Sequence, residues 1–455
     1  MGRFNWRPCF NHSANGAKLS TMKRHFHRCR GSISLDKRTP SSAGPCETRR
    51  VVESLFPVTQ SSTAKPRPSQ SPARQFDPIP LLDLHRQYQQ IREEVLAAVE
   101  RVCSSQQYIL GAEVEALERE IAAFTGASAA VGCASGTDAL WLALLSAGVQ
   151  AGDAVVTTAF SFFASASAIV RAGARPVLAD VDPDTLNLSP ECVKARLRAG
   201  GSYKIRTLLP VHLYGQCADV DALQQIADEF QLSIIEDAAQ AIGAKWRGRS
   251  AGSIGMAATF SFYPTKNLSA YGDAGLVTTS DLNLAEHMRK LRNHGSSRRY
   301  HHEEFGWNCR MDAIQAAILR VKLPHIETWN QQRRQRAATY DRLLADAGLA
   351  SKRVDAPVQP NKTSPHAFHV FHQYVIRTQR RDELRKFLGD RKIGTEIYYP
   401  VPLHLQPCFV YLGYRAGDLP QSERAAAEVL ALPMFPELTE AEQESVVESI
   451  AEFYS

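Results

Sequence analysis

A chain of 455 residues, 44% hydrophobic and 22% charged, has the balance of a globular protein large enough for more than one core. Its formal charge of +6 does not indicate a nucleic-acid partner: residues 1–75 carry 14 Lys and Arg against three acids, leaving 39 basic and 44 acidic residues in the body. No apolar run reaches the roughly 18 residues of a spanning helix, and nine scattered cysteines exclude a disulfide framework, which together predict a soluble, cytoplasmic protein without a membrane partner.

Residues 1–75 are rich in Ser, Pro and Arg and lack periodic apolar positions. Such a segment cannot bury enough surface to offset its ordering entropy, so it is read as a disordered basic leader. An organelle transit peptide is the alternative for a basic, acid-poor start. His25, His27 and Cys29 fall in this tail, where three potential ligands do not make a metal site; no metal is expected.

At Ile79 the pattern changes. LLDLHRQYQQIREEVLAAVERV, residues 81–102, sets Leu84, Tyr88, Ile91, Val95 and Val99 at helical spacing, and a second amphipathic helix is predicted from Val114 to Phe124. Strand-like and helix-like segments then alternate: AAVGCAS, a helix from Asp138 to Ala147, DAVVTTAF, a helix near 163–171, ARPVLADVD, TLLPVHLYG, a helix near 219–230, and LSIIEDA. Alternation of this kind predicts a mostly parallel sheet flanked by helices. AATFSFYP and GLVTTSD add strands and 311–323 a helix. Beyond Pro324 come a long polar helix, the strand HQYVIRT, the helix RDELRKFLGD, the segment GTEIYYP and a helical tail. The predicted organisation is thus a large α/β domain, 76–325, followed by a smaller C-terminal α+β domain, 326–455.

In open parallel sheets ligands bind beyond the carboxyl ends of the strands, and four loops there carry chemistry. CASGTDAL turns a strand into a helix through Gly136 and Thr137, leaving N–H groups free for a phosphate, or only capping the helix. In AFSFFAS, Phe162 could lie on a heteroaromatic ring or belong to the core. IIEDAAQA ends an apolar strand in Asp237, with Gln240 one turn on; a carboxylate there can hold a pyridine nitrogen protonated, or cap the next helix. SFYPTKNLSAYGDAG carries Ser261 and Lys266, and a lysine attacks an aldehyde only as the neutral amine, which a desolvated pocket favours. Each loop alone is weak. Their order along one sheet is that of a pyridoxal 5'-phosphate (PLP) site.

SGTDAL, IIEDAAQAIGA, SFYPTKNL with YGDAG, NCRMDAIQAAIL and YYPVPLHLQ together resemble the DegT/StrS-type sugar aminotransferases of PLP fold-type I, across about 375 residues from Ile79 onward. The resemblance implies that Gly136, Thr137 and Ser261 hold the cofactor phosphate, Phe162 stacks on the ring, Asp237 faces the pyridine nitrogen and Gln240 lies near the ring hydroxyl. Lys266 would carry the cofactor as an imine and shuttle the proton. It also implies a homodimer with shared active sites, in which Asn308 reaches the partner's cofactor phosphate. RRYHHEEFGWNCRMD and VHLYGQCADVDAL look most like the branch acting on UDP-linked 3-keto sugars. Arg298, Arg299, His301 and His302 would then meet a diphosphate or carboxylate, or simply form a solvated basic loop. Tyr398, Tyr399 and His404 would line the sugar pocket, with core packing the alternative for Tyr399.

The function so implied is transfer of an amino group from glutamate to a nucleotide-linked keto sugar in amino-sugar or polysaccharide biosynthesis. Amination of a 4-keto sugar is the near alternative. A sugar dehydratase of the same fold is disfavoured because those enzymes carry His where Lys266 stands, and a non-catalytic PLP-binding regulator is the alternative of another class.

Overall fold

The computed structural model describes residues 77–201, 203–350 and 359–455. The basic leader, with His25, His27 and Cys29, lies outside the described residues. Helix α1, Leu84–Ser105, starts where Asp83 accepts the N–H groups of His85 and Arg86 at 2.9 and 3.2 Å, and α2 spans Ala112–Thr125. The buried stripe of α1 is Ile91, Val95, Ala98 and Val102, while Leu84, expected on it, stands exposed in the first turn.

The main sheet is built from β1 (Ala129–Cys133), β2 (Asp153–Thr158), β3 (Arg175–Ala179), β4 (Lys204–Leu209), β5 (Ser233–Asp237), β6 (Ala257–Ser261) and β7 (Gly275–Thr279). Helices α3 (Gly136–Ser146), α4 (Ala164–Arg171), α5 (Pro190–Ala199) and α6 (Val220–Phe230) alternate with the first five strands, and α7 (Leu282–Leu291) follows the last. Strand order is β1-β7-β6-β5-β4-β2-β3. Only β7 runs against its neighbours. The link from β6 to β7, residues 262–274, contains no helix, and without a crossover element the chain returns antiparallel. That bare link carries Lys266. Most strand residues are buried on both faces, as in AAVGC and DAVVTT, because helices cover the sheet on each side.

Helices α8 (Ala313–Lys322) and α9 (Ile326–Asp346) lead to a second sheet, in which β8 (Tyr374–Arg377) pairs antiparallel with β9 (Val429–Leu432). Helices α10 (Arg381–Asp390), α11 (Pro420–Glu428) and α12 (Glu440–Tyr454) complete that layer. Its core joins Leu344, Ile376, Leu384, Leu430 and Val446 to Ile79, whose main chain bonds Lys392 and Gly394 at 3.1 and 2.8 Å. The buried Asp180, just past β3, accepts the N–H groups of Gln421 and Ser422 at 2.9 and 2.8 Å, capping α11 and tying the two layers together. The described residues from Asp77 on belong to one compact unit.

Candidate active site

The carboxyl ends of β1, β5 and β6 meet at one edge, and four of the singled-out loops converge there. At the end of β1 the chain enters α3 with Ser135 as N-cap, its hydroxyl accepting the Asp138 N–H at 3.1 Å. A Cβ on Gly136 would lie 2.6 Å from Ser261 Cβ and 3.0 Å from its Oγ, and one on Gly275 would lie 2.2 Å from the Ser135 carbonyl oxygen. At both positions a side chain would force the neighbouring backbone to shift. The approach that glycine permits brings the first turn of α3, with Thr137, against the hydroxyl of Ser261.

Asp237 closes β5 and is buried. Its Oδ2 accepts a hydrogen bond from Ser165 Oγ at 2.7 Å and its Oδ1 one from the Ala239 N–H at 3.3 Å. Burial pushes the carboxyl up from its ordinary value, while Ser165, the Ala239 N–H, Lys266 and His212 oppose the shift. The adjacent Glu236 points to the other face and is wholly structural. Its carboxylate accepts the N–H groups of Gly252, Ile254 and Gly255 at 3.1, 2.9 and 2.9 Å and faces His212 Nε2 at 3.0 Å. Because His212 Nδ1 accepts the Ala218 N–H at 3.2 Å, the ring proton sits on Nε2 and is donated to Glu236.

Lys266 stands in the link after β6, its N–H donating to the Tyr263 carbonyl at 2.8 Å. Burial lowers its amine to a pKa of about 8 against the opposing pull of Asp237. The next residues are clamped. Asn267 Nδ2 donates to Asn330 Oδ1 at 2.8 Å and to the Val370 carbonyl at 3.1 Å, its Oδ1 meets His372 Nδ1 at 3.2 Å, and the buried Lys322 Nζ donates to Ser269 Oγ at 2.9 Å. Beside this link a cavity of about 70 Å³ is lined by Thr265, Arg333, His372 and Tyr398 among others.

Gln240 accepts the Tyr214 N–H at 2.6 Å and donates to Tyr399 Oη at 2.9 Å. Tyr399 in turn lies 6.1 Å, centroid to centroid, from Phe162, whose ring is 57% exposed. An aromatic left that open at the end of a buried strand has a free face, unlike the core reading of Phe162. Tyr398 is held through its carbonyl by the Tyr214 hydroxyl.

The remaining sequence-predicted residues make other contacts. His404 is buried with Nε2 on Glu423 at 2.9 Å, a packing role in the rim rather than an open pocket wall. Arg298, Arg299, His301 and His302 lie on an exposed hairpin, Ser296–Arg298 against His301–His302, with His302 Nδ1 donating to the His294 carbonyl at 2.8 Å. Asn308 is exposed and accepts from Arg310 Nε at 3.1 Å. None of these contacts is with Lys266, Asp237 or Gln240.

Residues 89–451 match the DegT/DnrJ/EryC1/StrS aminotransferase family. The chain belongs to that family. It is 51% identical over 83% of its length to the pleiotropic regulatory protein of Geobacillus stearothermophilus, covering 98% of that protein. It is 44% identical to the dTDP-3-amino-3,4,6-trideoxy-alpha-D-glucose transaminase of Streptomyces venezuelae, over 82% and 96% of the two chains. It is 40% identical to the UDP-N-acetyl-3-dehydro-alpha-D-glucosamine 3-aminotransferase of Acidithiobacillus ferrooxidans, over 80% and 94%. The crystal structure of S. venezuelae DesV with a ketimine intermediate superposes with a TM-score of 0.78 at 43% identity, over 83% and 98% of the chains. The fold of this DegT/DnrJ/EryC1/StrS member is accordingly that of the fold-type I aminotransferases. Among its described residues no helix is long and apolar enough to cross a membrane, and no His, Cys, Asp or Glu group could hold a metal ion.

Sequence reasoning passed over Ser165, His372 and Asn330. Ser165 carried a local signal, because Ser161 and Ser165 are four residues apart in the turn that holds Phe162. The other two reach the Lys266 link from distant elements and leave no local trace.

Proposed function

We propose that the protein is a PLP-dependent sugar-nucleotide aminotransferase that takes its amino group from glutamate and delivers it to a nucleotide-linked keto sugar, most closely a UDP-linked 3-keto sugar. The observation that carries the reading is Lys266, half-buried, with its amine lowered by desolvation to about 8 against the opposing charge of Asp237. The cofactor fits the residues present: the close Gly136–Ser261 approach, which has no room for a Cβ, sets the first turn of α3 beside the Ser261 hydroxyl, and Asp237 offers a buried carboxyl to a ring nitrogen. When bound, PLP supplies an electron sink for the carbanion formed at the amino-bearing carbon.

The chain's own groups do the rest. Thr137, Ser261 and the N–H groups of the α3 first turn hold the phosphate. Phe162 offers its open face to the ring. Gln240, fixed between the Tyr214 N–H and the Tyr399 hydroxyl, orients the ring hydroxyl's side. The Asp237 carboxylate keeps a proton on the ring nitrogen. Lys266 Nζ, with its amine lowered to about 8, would be the group that holds the cofactor through its aldehyde and the base positioned to move the substrate proton. The exposed basic hairpin, Arg298 to His302, and Asn308 serve a site shared between two copies of the chain, with the hairpin meeting the nucleotide diphosphate. Tyr398 and Tyr399 line the sugar side.

The Acidithiobacillus relative, named for a UDP-linked 3-dehydro sugar, supports the uridine and C3 assignment, and the Streptomyces relative supports amination at C3. A regulator that only bound the cofactor would not need a lysine amine lowered to about 8 beside a buried carboxyl, and the relatives named as transaminases favour the enzyme reading. The test is direct. Glutamate should convert the loaded enzyme to its amino form with release of 2-oxoglutarate, and a UDP-3-keto sugar should restore it faster than a dTDP-4-keto sugar. No change with glutamate would remove the transaminase reading, and a preference for the 4-keto sugar would reassign the acceptor. Mixed dimers of Lys266→Ala and Asn308→Ala subunits should regain activity if Asn308 serves the partner's site.

A further inference from the structure

The turn after β2 supplies more than the ring-facing Phe162. Ser161 Oγ lies 2.9 Å from Ser165 Oγ, and Ser165 Oγ lies 2.7 Å from Asp237 Oδ2, with all three side chains buried. A carboxylate has no proton to give, so Ser165 donates to Asp237. Its only hydrogen being committed, the Ser165 oxygen accepts from Ser161. Two hydroxyls therefore point in series at one carboxylate oxygen, and each polarises the next. The spacing of four residues sets both hydroxyls on one side of the start of α4 while Phe162, between them, faces out.

Resting on the aminotransferase reading, we propose that Ser165, backed by Ser161, is a positioning residue that keeps the Asp237 carboxylate ionised and aimed at the cofactor ring. Without a donor at Oδ2 the buried acid would face a desolvation cost relieved by taking up a proton. A neutral carboxylic acid could not hold positive charge on a ring nitrogen. The other groups that face Asp237 are Lys266 from the β6–β7 link, His212 after β4, Tyr399 from the second layer and the Ala239 N–H. Lys266 is the only one of them expected to change its own charge role when the cofactor binds, since its amine is consumed in the linkage. The hydroxyl pair is then the fixed support that stays through the reaction.

The test reads Asp237 itself in the full-length, cofactor-free protein, by the pH titration of its side-chain carboxyl carbon in ¹³C-aspartate-labelled samples, with Asp237→Asn identifying the signal. Ser165→Ala should raise the Asp237 midpoint by about one pH unit or more, so that about tenfold less is ionised at a given acidic pH. Ser165→Thr should return the midpoint toward wild type, and Ser161→Ala should shift it less. The acid limb of PLP binding should move in the same direction. Ser165→Cys, which keeps the volume with a weak donor, guards against a folding defect and should also raise the midpoint. An unchanged midpoint in both Ser165→Ala and Ser165→Cys, whatever happens to thermal stability, would overturn the proposal and leave Ser165 a packing residue. If the midpoint shifts as stated while wild-type protein fails to convert glutamate, Ser165 keeps its role toward Asp237 and the aminotransferase reading fails instead.

Discussion

Replacing Gly136 by Ala puts one methyl group where the structure has no room for it. The added Cβ would lie 2.6 Å from Ser261 Cβ and 3.1 Å from Ser261 Cα, so the obstacle is the end of a central strand and no side-chain rotation relieves it. Either the first turn of α3 or the end of β6 must retreat, at a cost of about 1–3 kcal/mol for an overpacked site. Against a typical stability of about 5–15 kcal/mol the protein should still fold, with a lowered melting temperature. The larger effect falls on the cofactor, because the retreat widens the gap between the α3 N–H groups and the Ser261 hydroxyl. PLP affinity, followed by quenching of intrinsic fluorescence, should drop at least about tenfold, or 1.4 kcal/mol. Gly389→Ala is the matched control. Nothing lies within 4 Å of its added Cβ, it has no positive φ, and it sits in α10, so it should be neutral or stabilise by about 0.5–1 kcal/mol. Wild-type PLP affinity in Gly136→Ala would refute the assignment of this approach as the phosphate cradle.

Three further outcomes follow from the charges. Covalent trapping of PLP on the protein by borohydride should rise with pH around a midpoint of about 8, set by the neutral fraction of Lys266; a midpoint near 10.5 would mean the amine is solvated. Asp237→Asn should retain the fold by circular dichroism yet lose at least about two orders of magnitude in turnover, and near-normal rates would end its role. Glu442 is held at about 2 by its pair with Arg86, at 3.0 and 2.5 Å, which ties α1 to α12. A depressed acid stabilises above its unfolded pKa of about 4.3 and ceases to as pH falls toward 2, so Glu442→Gln should cost about 1 kcal/mol in denaturant melts at pH 7 and nothing near pH 2.

Much of this architecture was legible in the residues. AAVGCAS, DAVVTTAF and LSIIEDA are short apolar runs between turn signals, and a strand buried on both faces must look like that. The antiparallel β7 was not legible, because GLVTTSD is equally apolar in either direction and the missing crossover helix shows only as a loop. Helices α5 and α7 and strand β9 were passed over: α5 is short and polar, α7 begins on an exposed Leu282, and β9 interrupts the segment read as a helical tail. In the candidate site, Lys266 and Asp237 can be singled out from the sequence by their place after apolar strands. The Gly136–Ser261 approach could not, since it depends on β7 entering between β1 and β6 in the sheet order. His404 illustrates the converse. A histidine in YYPVPLHLQ reads as a pocket residue, yet Glu423, from α11, draws it into the interior.

Whether Lys266 holds the cofactor is read from the site of its covalent attachment. The full-length protein is loaded with PLP, reduced with borohydride, digested, and searched by mass spectrometry for the phosphopyridoxyl-lysine. The modification should fall on Lys266 at close to one per chain, and Lys266→Ala should carry none. Stoichiometric modification at another lysine, or undiminished labelling of Lys266→Ala, would show that Lys266 is not the residue that holds the cofactor.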